Sequence, residues 1–574
     1  MTRGLRSIHP LTAALGMAVA VAAFVVAPSV IAAGTAYRSA PAEPAIGGIT
    51  PQQFTESMAS LHGRLVAELP AGVMTTPLRL DLTPDERTEM NDRQAQPGGP
   101  AVMGRTKAAN IQIRISDPDS TLVNIGNRRV GPGLMAATAD GGFVWAGAIV
   151  SDGAAGMRVH FTGLNLPPDA ELYVLNLAGA AYGPFRGRGP SDDGDFWAPT
   201  VGGAESVVML RQRGSASKAE INRMSFAISE VGHIASTYRG ISTESYCTFN
   251  EPCMENADCY SNPPTAGHKS AIAMLQWISG AFINTCTGGL VADTDTSTQI
   301  PYILTANHCI SRSKDAKNVE AFFFHDDTPC GSSNCPAQAN PGGPYGGAIL
   351  VQPIGTAIKA TGTDGDYSLL QLNGTPPSGT AYLGFSTAPV ANTNGTALRR
   401  VHHPAWAPQA YSEQSVTTSA GTCSSLPRGS FIYSRDAAIG GNGPVGGTEG
   451  GSSGSPVVNT SNQIVGQLFG ACGTNVNDAC DFQANATVDG ALAHYFPDVA
   501  SFLDPQGGGC TPTQNPESSC SDGLDNDCDG LTDGADPDCG GGGCNLGQAG
   551  DSCTDNSDCC SNNCKGKPGA KTCK

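Results

Sequence analysis

Between residues 111 and 232, apolar and polar positions alternate with a period of two in four runs, "IQIRIS", "MRVHFTG", "AELYVLNL" and "ESVVMLRQR", separated by Gly, Asp and Pro. Successive strand side chains point to opposite faces, so the pattern predicts half-buried strands, and their regular spacing predicts a cysteine-free β-sandwich over 111–239. Upstream, "TPQQFTESMASLHGRLVAEL" carries apolar residues at helical spacing and predicts one amphipathic helix in a mixed N-terminal pro-region, 34–110. Downstream of Cys247 the texture changes to short apolar runs such as "YILTA", "YSLLQL" and "QIVGQLF", set among long loops, as far as about Pro505. "FLDPQGGGC" ends that region, and "CGGGGC" at 539–544 separates two small tail modules, 506–540 and 541–574.

A chain of 574 residues is too long for one core, and its 73 Gly and 40 Pro favour a mainly β, loop-rich protein over helical bundles. The formal charge of −18 excludes nucleic acid as the main partner, because phosphate contacts need a basic surface. Arg3 and Arg6 precede an apolar stretch, Leu11 to Ala33, with a small-residue end, which reads as a secretory signal peptide over 1–33. No later segment is apolar enough to span a bilayer, so no stable membrane association is expected once the leader is removed. All 20 cysteines lie at or after Cys247, in blocks of ten, four and six. Even blocks predict separate disulfide-bonded modules made for an oxidising, extracellular compartment.

The chemistry concentrates in "GTEGGSSGSPVV", residues 447–458. A serine hydroxyl becomes a nucleophile only with a base to take its proton and donors to hold the oxyanion. "YILTANHCI" places His308 after a strand-like run, and "TDGDYSLLQL" places Asp366 directly before another. The order His, Asp, Ser is that of the chymotrypsin-type triad, and 258 residues from 247 to 504 suffice for two barrels. An α/β-hydrolase elbow would need Gly where Ser455 stands, with a helix next, yet Pro456 and "VVN" come after it. His402 and His403 are adjacent, a spacing poorly suited to one metal, and read as structural.

"TANHC", "DYSLLQL" and "GGTEGGSSGSP" resemble segments of secreted bacterial trypsin-like serine proteases, above all the lysyl endopeptidase family. The resemblance covers about 245–505 well and, through "YGPF" and "GDFWAPTVGG", the preceding region loosely. It implies a chymotrypsin-like double β-barrel over 240–505, preceded by the β-sandwich-like prodomain and followed by two disulfide-rich modules. It also implies protein or peptide substrates and no cofactor for catalysis. By this mapping Ser453 is the nucleophile, His308 the general base and Asp366 its orienting acid, with the N–H groups of Gly451 and Ser453 as oxyanion hole. Cys286 and Cys309 resemble the disulfide that closes the catalytic histidine's loop.

Many trypsins carry a specificity aspartate six residues before the nucleophile, where this chain has Gly447. The family takes its acid from beyond the serine, which maps onto Asp481, with Asp478 and Asp489 as alternatives, and implies cleavage after Lys or Arg. Phe469 and Tyr433 stand where lysyl endopeptidase has a histidine and a tryptophan. Ser452 replaces the aspartate that receives trypsin's new N-terminus, so activation is expected by removal of an occluding prodomain. A cut after Arg239, leaving Gly240 as the new terminus, is the expected maturation step.

In the tail, Asp525, Asp527, Asp529 and Asp533 alternate around Gly530 in a pattern suited to a structural Ca²⁺. The last six cysteines are spaced like a cystine-knot miniprotein, and the family pairing would join Cys544 with Cys560, Cys553 with Cys564 and Cys559 with Cys573. These modules are candidates for contact with a cell surface or polymer, and the rival to a protease is an exported, non-catalytic binding protein.

Overall fold

The computed structural model describes residues 37–505 except 97–98, 116–127, 237–250, 261–265, 296, 327–329, 331–347, 424 and 437–444, together with the hairpin Cys564–Lys567 and Ala570–Cys573. The predicted leader, the Arg239–Gly240 processing site and the carboxylates Asp525, Asp527, Asp529 and Asp533 lie outside the described residues. No described helix is long and apolar enough to cross a membrane.

The predicted helix spans Pro51–Glu68, begun by a capping box between Thr50 and Gln53 with Pro51 in the first turn, and it buries Met58 and Leu65. Most of each alternating run lies in a strand: Ala101–Arg114, Ala154–Asn165, Ala170–Leu175 and Glu205–Gln212. One sheet includes Ala170–Leu175, Glu205–Gln212 and Phe143–Val150; the facing one includes Ala154–Asn165, Ser225–Ala235 and Ala101–Arg114. Trp145, Phe161, Tyr173 and Phe226, all buried, belong to the apolar core they share. The strand Ala101–Arg114 runs unbroken through the position where the pattern suggests a change from pro-region to β-rich domain.

That strand also leaves the sandwich. One edge pairs with Ser225–Ala235, and the other pairs with Phe282–Leu290, where Arg105 faces Phe282 and Ala101 faces Thr285. A twelve-stranded sheet thus continues from the sandwich into the region beyond Cys247. A second tie is a buried polar network. Arg158 Nη1 lies 3.2 Å from Glu320 Oε2, both side chains fully buried, and Glu320 also accepts from Thr200 N, Thr200 Oγ1 and Gln276 Nε2, each at 2.7 Å. The first described residues wrap the far side: Ser39–Ala40 pairs with Phe385–Ser386, Glu43–Pro44 pairs with Ala381–Tyr382, and Arg38 Nε lies 3.3 Å from Asp504.

Beyond Cys247 come two β units. The first is a curved, open arrangement containing Ile272–Ser279, Phe282–Leu290, Tyr302–Ala306, Thr356–Gly362 and Tyr367–Leu372. The second closes into a six-stranded barrel: Ala397–His402, Ala410–Val416, Phe431–Asp436, Asn485–Ala491, Ile464–Gly473 and Pro456–Val458, which returns to Ala397–His402. The helix Leu492–Leu503 then packs Tyr495, Phe496, Val499 and Leu503 into the core of the first unit. Described disulfides join Cys253 to Cys480, Cys259 to Cys330, Cys286 to Cys309 and Cys423 to Cys472.

Candidate active site

His308 comes after the strand Tyr302–Ala306, and Asp366 precedes Tyr367–Leu372; the two strands are paired, with Ala306 opposite Tyr367. Pairing brings residues 58 apart in sequence into contact: His308 Nδ1 lies 2.7 Å from Asp366 Oδ2, and the His308 backbone N–H donates to Oδ1 at 2.9 Å. Asp366 has a φ of 52°, uncommon for a residue with a side chain. Gln467 holds that conformation, since its Nε2 donates to the carbonyls of Gly365 and Asp366, both at 2.9 Å. Tyr495 donates its hydroxyl to Gln467 Oε1, fixing the amide in turn. On the other side of His308, the ring-to-ring distance to Phe469 is 5.7 Å.

Cys286 Sγ and Cys309 Sγ lie within 4.8 Å of a ring nitrogen of His308. Their sulfurs are bonded to each other, so this trio braces the histidine loop and offers no pair of thiolates for a metal.

Ser453 sits just before the strand Pro456–Val458 of the second barrel but is fastened to the first unit. Thr287 N donates to Ser453 O at 2.8 Å, Thr287 Oγ1 donates to Gly451 O at 2.9 Å, and Thr305 Oγ1 donates to Thr287 O at 2.8 Å. Thr287 and Thr305 lie on the strands that lead to the histidine loop, so the serine turn and His308 share one support. Glycine is required here. Gly451 and Gly454 have φ of 96° and 80°, and a Cβ on Gly454 would stand 2.1 Å from Thr305 Oγ1. The N–H groups of Gly451 and Ser453 have no hydrogen-bond partner among the described residues, which leaves them available to an anionic oxygen. His308 Nε2 is buried and has no partner among them either, so the hydrogen bond to Ser453 Oγ is not made.

A cavity of about 380 Å³ opens beside Ser453. Its wall includes Phe469, Gly470, Glu449, Glu251 and Arg435, and the loop residues Val476, Asn477, Ala479 and Phe482. Asp481 lies within that loop but is not among the lining residues. Its carboxylate accepts from Asn475 Nδ2 at 2.9 Å and from Ala484 N at 3.0 Å, bonds that hold its pKa below the usual carboxylate range. Asp489, the alternative acid, is buried against Arg400 at 2.7 Å, and burial raises its pKa. The oxygen Oδ1 of Asp478, the other alternative, accepts from Cys480 N. Where trypsins keep their aspartate, a Cβ on Gly447 would meet Met254 Cε at 3.0 Å and Cys253 Sγ at 3.1 Å, so that wall is filled by the Cys253–Cys480 disulfide region.

Sequence reasoning did not single out Glu251, Glu449 or Arg435. Glu449 stands four residues before Ser453 in the same glycine-rich stretch and could have been found there; Glu251 comes to the cavity through Cys253, whose partner no spacing specifies. Ala95 and Gly99, from the N-terminal region, also line the cavity. His402 and His403, read as structural, are fully buried, and His402 Nδ1 lies 2.8 Å from Ser452 Oγ.

Residues 247–484 match a family model described as the lysyl endopeptidase C-terminal domain. Lysyl endopeptidase of Pseudomonas aeruginosa is 24% identical over 360 residues, 60% of this chain and 72% of that protein. Secreted RxLR effector protein 73 of Plasmopara viticola is 27% identical over 189 residues, 31% of this chain and 44% of its own. Among solved structures, an inactive form of Rv3671c from M. tuberculosis H37Rv matches at 13% identity and a TM-score of 0.28, covering 44% of this chain and 95% of that one. The serine endoprotease from Yersinia pestis matches at 14% and 0.27, covering 43% and 68%. The segment that carries His308, Asp366 and Ser453 is therefore similar in sequence to serine proteases of the lysyl endopeptidase type.

Proposed function

We propose that the protein is a secreted serine endopeptidase that works through an acyl-enzyme, with Ser453 as nucleophile, His308 as base and Asp366 as its orienting partner. The observation that carries this is the 2.7 Å bond between His308 Nδ1 and Asp366 Oδ2, set on the same strands that fasten the Ser453 turn. Asp366 accepting from Nδ1–H leaves the Nε2 lone pair for the Ser453 proton, and the imidazolium then formed is stabilised by the carboxylate. Attack by Ser453 Oγ on the scissile carbonyl makes an oxyanion, for which the free N–H groups of Gly451 and Ser453 are the donors. His308 returns its proton to the leaving amine, and water repeats the sequence to release the acid.

The finer reading is cleavage after Lys or Arg. Similarity to lysyl endopeptidase supports it, and so does the presence of two acidic residues, Glu251 and Glu449, among those that line the cavity. Asp481 is the acid that the family pattern would choose, but it is not among the residues that line the cavity, whereas Glu449 is, which favours Glu449. The cavity wall contributed by Ala95 and Gly99 supports the N-terminal region as a prodomain that occludes the site until the chain is cut after Arg239.

A fluorophosphonate probe tests the triad: it should label the wild type and leave Ser453→Ala unlabelled, whereas equal labelling of both, or of neither, refutes the assignment. A peptide library then reads the residue before the cut. Glu449→Gln should lower kcat/KM on Lys substrates about tenfold and Asp481→Asn by less than about twofold; the reverse ranking would return the role to Asp481.

A further inference from the structure

The turn that presents Ser453 lacks the aspartate that, in trypsin-like enzymes, locks it to a newly formed N-terminus. Ser452 occupies that position, and its side chain is completely buried. Ser452 Oγ accepts from the backbone N–H of Glu449 at 3.2 Å and lies 2.8 Å from His402 Nδ1, so the hydroxyl bridges the start of the turn to the end of the strand Ala397–His402. With one lone pair of Oγ engaged by Glu449 N–H, the hydroxyl proton is free to go to Nδ1, which suits a neutral imidazole. His402 is fully buried, and burial depresses its pKa well below the ordinary histidine value, consistent with that neutral form.

Two details say why an imidazole stands there. His402 Nε2 is buried with no partner among the described residues, an unfavourable state that an aliphatic side chain would avoid. The one side-chain hydrogen bond His402 makes among the described residues goes to Ser452. Ser452 in turn lies between Gly451 and Ser453, whose N–H groups are free to receive an oxyanion: its carbonyl shares a peptide plane with the Ser453 N–H, and holding it in place fixes that amide relative to the Gly450–Gly451 peptide that carries the other. Other ties of the turn are Ala405 N to Gly450 O at 2.6 Å, Thr287 Oγ1 to Gly451 O, Ser452 N to Glu449 O at 3.0 Å, Thr287 N to Ser453 O at 2.8 Å, Gly454 N to Leu468 O at 2.8 Å and Ser455 N to Ser452 O at 3.1 Å, none of them to the Gly451 or Ser453 N–H. The His402 bond is the side-chain anchor between the two amides.

We infer that His402 is a positioning residue for the oxyanion hole, holding Ser452 so that the Gly451 and Ser453 amides converge without any ion pair from a cleaved N-terminus. The inference rests on the triad reading, and its test separates the two. On the secreted protein, Ser452→Ala and His402→Leu should each lower kcat by about 10- to 100-fold with KM within about threefold, as expected when transition-state donors are misaligned. Affinity for a peptide boronate, which presents a tetrahedral oxyanion, should fall in parallel with kcat/KM. The double variant should be no worse than the poorer single by more than about threefold, because each single already breaks the bond they share, Ser452→Ala also removing the acceptor of the Glu449 N–H. His402→Asn, whose amide reaches toward the Nδ1 position, should regain at least about a third of the lost kcat.

If His402→Leu fails to fold, as judged by its thermal midpoint, Ser452→Ala decides alone. A folded Ser452→Ala with kcat within about twofold of wild type overturns the inference while leaving the triad intact. So do fully multiplicative losses in the double variant. A wild type that neither cleaves peptides nor takes the fluorophosphonate overturns the triad reading and this inference with it.

Discussion

Replacing Arg158 by Met tests how tightly the N-terminal sandwich is built into the rest of the molecule. Arg158 comes from the sandwich strand Ala154–Asn165, Glu320 from the strand Glu320–Phe323 beyond the shared edge, and neither side chain is exposed. Removing one partner of a buried ion pair costs about 3–5 kcal/mol, since the other charge stays behind uncompensated. Glu320 keeps three neutral donors, from Thr200 N, Thr200 Oγ1 and Gln276 Nε2, which places the expectation near the lower end. A loss of about 3 kcal/mol is roughly a 150-fold fall in the folding equilibrium constant. Burial already raises the Glu320 pKa with Arg158 in place, and without the cation it rises further. A carboxyl whose folded pKa lies above its unfolded value binds an extra proton in the native state, so its destabilising effect grows as pH rises past the unfolded value. The Arg158→Met deficit should therefore be larger near about pH 8 than near about pH 5. Urea unfolding in a Ser453→Ala background, which removes the proposed nucleophile, measures it. Arg158→Met/Glu320→Met should recover at least about 1 kcal/mol but not everything, because the Thr200 N–H loses its acceptor. A deficit under about 1 kcal/mol, or a double variant as unstable as the single, would refute the reasoning.

Asp366→Asn should keep the fold but lower kcat about 10³–10⁴-fold with little change in KM, because an amide no longer selects the Nδ1–H tautomer of His308; steady-state kinetics check this. A cut engineered just after Arg239 should leave the two pieces associated in gel filtration, since the Ala101–Arg114 to Phe282–Leu290 pairing and the Arg158–Glu320 pair both survive it. Activity should then lag cleavage until the N-terminal piece is displaced or digested, and spontaneous separation in dilute buffer would contradict this. Burial lowers the pKa of His268 and His403 to about 3 and of His325 to about 4, so the native state holds them neutral while the unfolded chain takes up protons below 6.5. Each contributes a loss of up to about 1.4 kcal/mol per pH unit as pH falls from 6.5 toward those values. Urea midpoints should drop steeply between about pH 6.5 and 4.5; a flat profile would refute the neutral state of these buried histidines.

Much of the site could be read from the chain because its signals are local. His308 beside Cys309, Asp366 ahead of "YSLLQL" and Ser453 within a glycine run each carry their chemistry in a few residues, and their order excludes the competing hydrolase arrangements. The sandwich strands were legible for the same reason, since a period of two is a property of neighbouring residues. The cavity wall was not. Glu251 reaches it through the disulfide of Cys253 to a cysteine 227 positions away, and Asp481, nine residues after Cys472, spends its carboxylate on its own loop. The His402 bond to Ser452 spans 50 residues and depends on how one strand end meets a turn.

Residue type and order thus pointed, without any coordinates, to a mainly β chain and to His308, Asp366 and Ser453 as the candidate triad, with Ser453 in a glycine-rich turn. Tertiary structure decided which charges face the cavity, that the N-terminal sandwich shares a sheet with the first β unit beyond Cys247, and that Ser452 is tethered rather than merely small. The division has one physical cause. Backbone conformation and periodicity arise from residues a few positions apart, whereas strand pairing, disulfide partners and the burial of a carboxylate are set by contacts whose sequence separation carries no local trace.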